Sequence, residues 1–122
     1  MKLDFDARSG LLVDACNLDH LVIAGRRYNC ALVVTPSAIY EGLLPDRFAE
    51  LRNTHLCAIV ALEISVLIIG TGRRQLFLES AVSAELGAQG IGVETMTTSA
   101  ACRSYNILAN DKRSVAAALF ID

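Results

Sequence analysis

The sequence predicts an α/β protein built on a sheet that is buried on both faces. Apolar residues make up 53% of the 122 residues, and the mean hydropathy is +0.43. The longest apolar segment, 57–69, is interrupted by Glu63 and Ser65, whereas a membrane-spanning helix needs about 20 consecutive apolar residues. A doubly covered sheet accounts for the same composition. The β-α-β-α-β order over residues 64–121 favours parallel strands joined by right-handed crossovers.

The N-terminal third, residues 1–41, is predicted to be β-structure. The apolar strand 21–24 is separated from a second strand, 28–35, by Gly25-Arg26-Arg27, as expected of a hairpin with a solvated basic turn. Pro36 should end the second strand because it has no N–H group to donate to a sheet. The length of the chain fits one domain spanning residues 1–122.

The middle of the chain is predicted to lead from a connection into a short helix and a central strand. Residues 36–53 contain two prolines and a glycine, so we expect a connection with one helical turn near 46–51. Apolar residues at helical spacing predict a helix over about 54–62. Within it, His55 is interpreted as an exposed helical residue rather than a catalytic base. The β-branched run 64–69 predicts the central strand.

Two further helices and two further strands complete the predicted order. The helices are expected at 81–86, with Ser80 as N-cap, and at 97–109. The strands are expected at 91–96 and 115–121. Glycines after the first of these helices suit a left-handed turn at its C-terminus.

The net charge of the chain and the composition of residues 1–8 exclude some classes of protein. The chain has eleven basic and thirteen acidic residues, which gives a net charge of −2. Nonspecific nucleic-acid binding needs a strong basic excess, so no nucleic-acid partner is expected. Residues 1–8 contain two aspartates and no hydrophobic stretch, which is unlike a secretory signal or a transit peptide. We therefore expect a cytoplasmic protein without a transmembrane segment.

The cysteines and histidines do not show the spacing of a metal site. There are four cysteines and two histidines, and no pair of cysteines has CxxC spacing. Structural zinc sites normally show short paired spacings, so neither a metal nor another cofactor is expected. Each cysteine has apolar neighbours and is predicted to be a reduced, buried thiol. The cysteines are Cys16, Cys30, Cys57 and Cys102.

Two polar segments follow predicted parallel strands and should meet at one edge of the sheet, where ligands of open α/β sheets collect. Glycines in the first segment, 70–75, let backbone amides approach an anion. The second, 97–99, places three hydroxyls at a helix N-terminus, which favours negative charge. The candidate ligand-binding residues are Gly70, Thr71, Gly72, Arg73, Thr98, Ser99 and Arg103.

Structural roles for the same residues remain open. Gln75 stands where a dinucleotide fingerprint has its third glycine, and no P-loop lysine follows. The glycines can simply form a tight turn, Thr98 or Ser99 can cap the helix, and an arginine can join a salt bridge. Cys102 lies early in a helix beside Arg103, which would lower its pKa. Cys102 is therefore a candidate reactive thiol, but the favoured interpretation is a buried structural thiol.

Four segments resemble a family of small uncharacterised domains, described as Mth938-like, that includes a mitochondrial assembly factor for respiratory complex I. The segments are 67–75 (LIIGTGRRQ), 90–96 (GIGVETM), 100–106 (AACRSYN) and 32–36 (LVVTP). The resemblance covers nearly the whole chain. It departs at Ser99 and Ser104, where the family often has Gly and Thr, and in the lack of a mitochondrial targeting segment.

The resemblance implies a three-layer fold with an N-terminal β part and a mixed central sheet carrying helices on its faces. It also implies a non-enzymatic interaction or assembly module whose partners include subunits of respiratory complex I. It supplies no catalytic residue. The alternative function is binding of a small anion or small molecule, with or without catalysis, between the 70–72 loop and the helix start at 97–103. A homo-oligomer formed through a sheet edge is compatible with either function.

Overall fold

The computed structural model describes residues 10–121, which form two sheets and three α-helices. None of the helices in this part of the chain is both long and apolar enough to cross a membrane. The strands are β1 (Val13–Cys16), β2 (Leu21–Ile23), β3 (Arg26–Tyr28), β4 (Leu32–Thr35), β5 (Ala38–Tyr40), β6 (Val66–Gly70), β7 (Gly92–Met96) and β8 (Val115–Leu119). The helices are α1 (Asn53–Val60), α2 (Ser80–Ala88) and α3 (Thr98–Asn110), and Phe48–Glu50 form a 3-10 turn.

The central sheet is mixed. Its five strands lie in the order β5-β4-β8-β6-β7. Strand β6 is parallel to both β7 and β8, whereas β4 is antiparallel to β8 and β5. The other sheet has three antiparallel strands, β1-β2-β3. The predicted α/β class, with an N-terminal β part and a mixed central sheet, is confirmed.

The central strands are buried on both faces, and alternate side chains belong to different cores. In β6, Ile68 points into the core shared with α3, while Leu67 and Ile69 point into the core shared with α1 and α2. In β8, Ala117 and Ala118 divide in the same way. This two-faced burial explains the near-continuous apolar runs of the sequence.

Helix α3 joins the two sheets. Four of its side chains, Ala101, Cys102, Tyr105 and Ala109, follow helical spacing and are buried. The hydroxyl of Tyr105 donates to the Leu11 carbonyl at 2.7 Å. Beside it, the Asn106 side chain accepts from the Val13 N–H at 2.8 Å and donates to the Val13 carbonyl at 2.9 Å. The three-stranded sheet is thereby fastened to the helix by side chains.

The prediction of one strand over 28–35 is wrong, because the chain leaves the first sheet after Tyr28 and enters the second at Leu32. The turn of the hairpin is also displaced. Ala24 and Gly25 both have positive φ, +53° and +78°, as the tightest two-residue hairpin turns require. The two arginines that follow therefore belong to β3 rather than to the turn.

The connection predicted over 36–53 contains an additional edge strand, β5. Thr35 stabilises the intervening turn, since its hydroxyl oxygen accepts the Ala38 N–H at 3.1 Å and the Ser37 N–H at 3.3 Å. Pro36 does end β4, as predicted. The helical turn expected near 46–51 is present at Phe48–Glu50.

Helix boundaries differ from prediction by a few residues. The helix predicted over 81–86 extends over Ser80–Ala88, and its N-cap is Glu79 rather than Ser80. At the start of α1, the Nδ1 atom of His55 accepts the Arg52 N–H at 2.9 Å. His55 thus satisfies a backbone donor that the helix itself leaves free.

Replacing Asn106 by alanine should destabilise the protein by about 1–3 kcal/mol, because the Val13 N–H and C=O would both lose their partner. Urea denaturation gives the free energy of unfolding. Asn110→Ala is the control, since Asn110 is an exposed residue at the end of the same helix and should change stability by less than about 0.5 kcal/mol. Equal effects of the two substitutions would contradict this role of Asn106.

Candidate functional site

The two candidate loops meet at the carboxyl ends of β6 and β7 and are hydrogen-bonded to each other. The Thr98 N–H donates to the Gly72 carbonyl at 2.9 Å. In return, the Gly72 N–H donates to the Thr98 hydroxyl oxygen at 2.8 Å. The expected meeting of the loops is confirmed, and it comes from a reciprocal pair of hydrogen bonds.

Thr98 also connects α3 to β8. Its hydroxyl donates to the Phe120 carbonyl at 2.6 Å, and the residue is buried. The same hydroxyl group therefore donates a hydrogen bond to the carbonyl just after β8 and accepts one from the loop after β6. The helix cap is a different residue, Thr97, whose hydroxyl accepts the Ala100 N–H at 3.3 Å.

Thr71 holds the β6 loop in place. Its hydroxyl donates to the Arg74 carbonyl at 2.6 Å and accepts the Leu76 N–H at 3.1 Å. The Thr71 N–H is used as well, in a 2.9 Å bond to the Met96 carbonyl. Because Thr71 is buried, its polar groups stabilise the loop and are not directed at solvent.

Steric constraints explain why glycine occupies both positions 70 and 72. A Cβ atom on Gly70 would lie 2.8 Å from Thr98 Cα and 3.1 Å from Ala101 Cβ, so the missing side chain lets α3 approach the sheet. Gly72 has φ of +104°, a conformation that residues with side chains rarely adopt. The glycine pattern thus has an architectural basis in addition to any role in binding.

A carboxyl-edge groove of about 500 Å³ opens above these loops. Of the candidate residues, Gly72, Arg73, Thr98 and Ser99 line it, whereas Gly70, Thr71 and Arg103 do not. Sequence reasoning missed the opposite wall, because that wall depends on how the first sheet packs against α3. The residues it missed are Cys16, Asn17 and Leu18 on that wall, together with Phe120 and Ile121 after β8. Thr97, which belongs to the predicted 97–99 segment, also lines the groove.

The groove offers a small number of groups to an anion. Arg73 is exposed and makes no ion pair within residues 10–121. Of the first three amides of α3, those of Thr98 and Ala100 have acceptors, which leaves the Ser99 amide without one among the described residues. Arg103 lies outside the lining, with its Nη1 atom 3.4 Å from the Ser99 hydroxyl.

Cys102 has the environment of a structural thiol. Burial raises its pKa far above the usual value, and the neighbouring Cys16 thiol raises it further, while Arg103 lowers it by less. The lowered pKa expected of a reactive thiolate is therefore not found. The prediction that all four cysteines are buried holds for Cys102 alone, since Cys16 is half-buried and Cys30 and Cys57 are exposed. Over residues 10–121 no three His, Cys, Asp or Glu side chains are grouped to hold a metal ion.

Residues 13–120 match the model of a family described as "Protein of unknown function (DUF498/DUF598)". The chain belongs to this family. A zebrafish (Danio rerio) relative, "NADH dehydrogenase [ubiquinone] 1 alpha subcomplex assembly factor 3", is 46% identical over 90 residues, which are 74% of this chain. The match spans about half, 51%, of the zebrafish protein.

Solved structures of similar proteins share the fold. A crystal structure of a Bordetella parapertussis protein superposes with a TM-score of 0.84 at 34% identity, covering 92% of this chain and 96% of the other. A Bordetella pertussis protein described as a Mth938-like domain gives a TM-score of 0.81 at 27% identity, covering 94% and 87%. The Mth938-like fold and the resemblance to complex I assembly factors are confirmed.

Replacing Gly70 by alanine should destabilise the protein by about 1–3 kcal/mol, because the new methyl group would collide with the Cα atom and the hydroxyl of Thr98 in α3. Gly87→Ala is the matched control. Gly87 lies within α2 with no atom near its missing Cβ, so this substitution should stabilise by about 0.5–1 kcal/mol. Thermal and urea denaturation should show a lower free energy of unfolding for Gly70→Ala and a higher one for Gly87→Ala. A Gly70→Ala variant as stable as the original chain would refute the close approach of helix and sheet.

Proposed function

We propose that this protein is a non-enzymatic interaction module that assists assembly of a respiratory complex of the complex I type, acting from the cytoplasmic side of the membrane. The observation that carries this proposal is the 46% identity to the zebrafish assembly factor, which extends over 74% of the chain. The matching solved structures share its fold.

The geometry of the carboxyl edge supports a role in binding rather than in catalysis. Thr71 and Thr98 are buried, and their hydroxyls are hydrogen-bonded to backbone atoms of this chain. Burial raises the pKa of the Cys102 thiol, which disfavours the thiolate that nucleophilic chemistry requires. These groups stabilise the shape of the loops, and a protein partner would recognise that shape from outside.

An exposed apolar residue beside the carboxyl-edge groove supplies surface for such a partner. Leu18 in the β1–β2 turn is 65% exposed and lines this groove. Side chains of this size gain free energy when a partner covers them, at roughly 25 cal/mol per Å² of apolar area.

Affinity purification from membranes of the source cell, followed by mass spectrometry, tests the proposal. We expect the tagged chain to recover complex I subunits, and a deletion strain to contain less assembled complex I than the parent. Plasmid-borne protein should restore the amount of complex. Normal complex I in the deletion strain, together with purifications that recover none of its subunits, would contradict the assembly role.

The second candidate function is binding of a small anion or small molecule in the carboxyl-edge groove. It is favoured by Arg73 and the Ser99 amide, which lie together in a groove of about 500 Å³. Phosphate, nucleotides and carboxylates are suitable probes, because a helix N-terminus and an arginine both favour anions.

Arg73→Ala should abolish stabilisation by any probe that binds this groove, whereas Arg103→Ala should leave it intact because Arg103 is outside the lining. A ligand at 100 times its dissociation constant adds about 2.7 kcal/mol to the free energy of unfolding, which a thermal-shift assay detects. A flat response of the original chain across the probes would rule out this function, and equal losses in both variants would place binding elsewhere.

A further inference from the structure

The outer face of α1 and α2 carries very little charge for a surface exposed to solvent. Helix α1 has eight residues and no Asp, Glu, Lys or Arg. Helix α2 has nine residues, of which only Glu85 is charged. Its other exposed positions include Ala81, Ala84 and Ala88. A helix that faces water normally shows charged side chains on its outer side, so this face has the composition of a covered surface.

A helix groove runs between α1 and α2. It consists of two adjoining depressions of about 380 and 270 Å³ that share Asn53, Leu56 and Val82. The start of the groove lies at the N-termini of both helices, where Arg52, Phe77 and Glu79 line it. The end of the groove lies at their C-termini, where it is lined by Val60, Ala61, Glu85, Leu86 and Gln89.

A large apolar side chain stands beside the start of the groove. Phe77 is 73% exposed and its neighbour Leu76 is 40% exposed. The same face of the molecule therefore presents both an apolar projection and an apolar depression. A surface that contains both complementary shapes is able to bind itself across a two-fold axis.

We propose that a second copy of the chain covers this face, in a symmetric dimer in which Phe77 of each protomer occupies the end of the helix groove of its partner. A two-fold axis near the middle of α2 reverses the direction of the helix, so the start of one groove lies against the end of the other. The small exposed residues of α2 allow the two copies of this helix to approach closely, as small side chains do at helix contacts.

The charges along the groove support a second copy as the occupant. Arg52 lies at the start and Glu85 at the end, and neither forms an ion pair within residues 10–121. The two-fold reversal places each Arg52 near Glu85 of the partner subunit, so the interface contains two pairs of opposite charges. Glu79 also lies at the start, one residue before α2, where the helix N-terminus stabilises its negative charge.

A membrane surface fits the helix groove less well. Anionic lipids attract clusters of Lys and Arg, whereas the end of this groove is acidic. An apolar bilayer would also leave the acidic Glu85 and the amide of Gln89 without partners. The second copy supplies both the aromatic side chain and the cation that the end of the groove lacks.

Sedimentation equilibrium of the purified chain tests the proposal. We expect a species of twice the 13.1 kDa chain mass. Phe77→Asp and Ala84→Arg should each raise the dimer dissociation constant about tenfold or more, because the first removes the apolar projection and the second separates the two copies of α2. Ile107→Asp is the matched control: Ile107 is 68% exposed on α3, across the central sheet, and this substitution should leave the dimer unchanged.

A charge exchange tests the orientation of the two copies. Arg52→Glu and Glu85→Arg should each weaken the dimer by placing like charges together, and the double variant should recover most of the original affinity. A monomer at the highest soluble concentration would overturn the proposal. So would a dimer that survives both Phe77→Asp and Ala84→Arg, or one that Ile107→Asp weakens equally. Failure of the double variant to recover affinity would overturn the proposed orientation.

Discussion

The hydroxyl of Thr98 is the interaction on which the arrangement of this protein depends. It accepts the Gly72 N–H and donates to the Phe120 carbonyl, at 2.8 and 2.6 Å, so one buried oxygen joins the start of α3 to the ends of two parallel strands. A buried hydroxyl needs such partners, since leaving them unsatisfied costs about 1–3 kcal/mol. The missing side chain of Gly70 makes the contact possible by letting the helix lie against the sheet. Helix α3, once fixed there, holds the N-terminal sheet through Asn106.

The hydrogen bonds of Thr98 change the role that is expected of the carboxyl edge. In many α/β proteins the amides and hydroxyls at such an edge face a ligand. Here the Thr71 and Gly72 amides and the Thr98 hydroxyl bond to other parts of the same chain. The backbone groups at the centre of the edge are therefore already hydrogen-bonded. The carboxyl-edge groove lies over them, and its polar lining comes from Asn17, Arg73 and the start of α3. The same residue types that predict an anion site instead connect three secondary-structure elements.

The central elements were predictable because local pattern and tertiary environment agree there. The apolar run of β6 and the helical spacing of Ala101, Tyr105 and Ala109 both reflect burial in the sheet and its covering helix. The cap of α3 was not predictable, since each of three successive hydroxyls can cap a helix. The hydroxyl of Thr98 is not the cap, because it donates to the Phe120 carbonyl. The division of 28–35 into two strands also has no local signal, because an extended backbone is compatible with both one strand and two. Arg103 has helical spacing from Ser99, but only the packing of the first sheet shows that the groove lies on another side.

The high apolar content of the chain has two structural sources. The first is the central sheet, whose strands are buried between α3 on one face and α1 and α2 on the other. The second is the outer surface of α1 and α2, where apolar and small residues occupy positions that face solvent. The outer side of α3 is polar except for Ile107, which is 68% exposed, and the N-terminal sheet also packs against this helix. Helices α1 and α2 carry a single charged residue, Glu85, and their exposed positions include Ala81 and Ala84. Exposed apolar surface favours association, and Leu76 and Phe77 beside the helix groove are two of the large apolar side chains that folding leaves exposed.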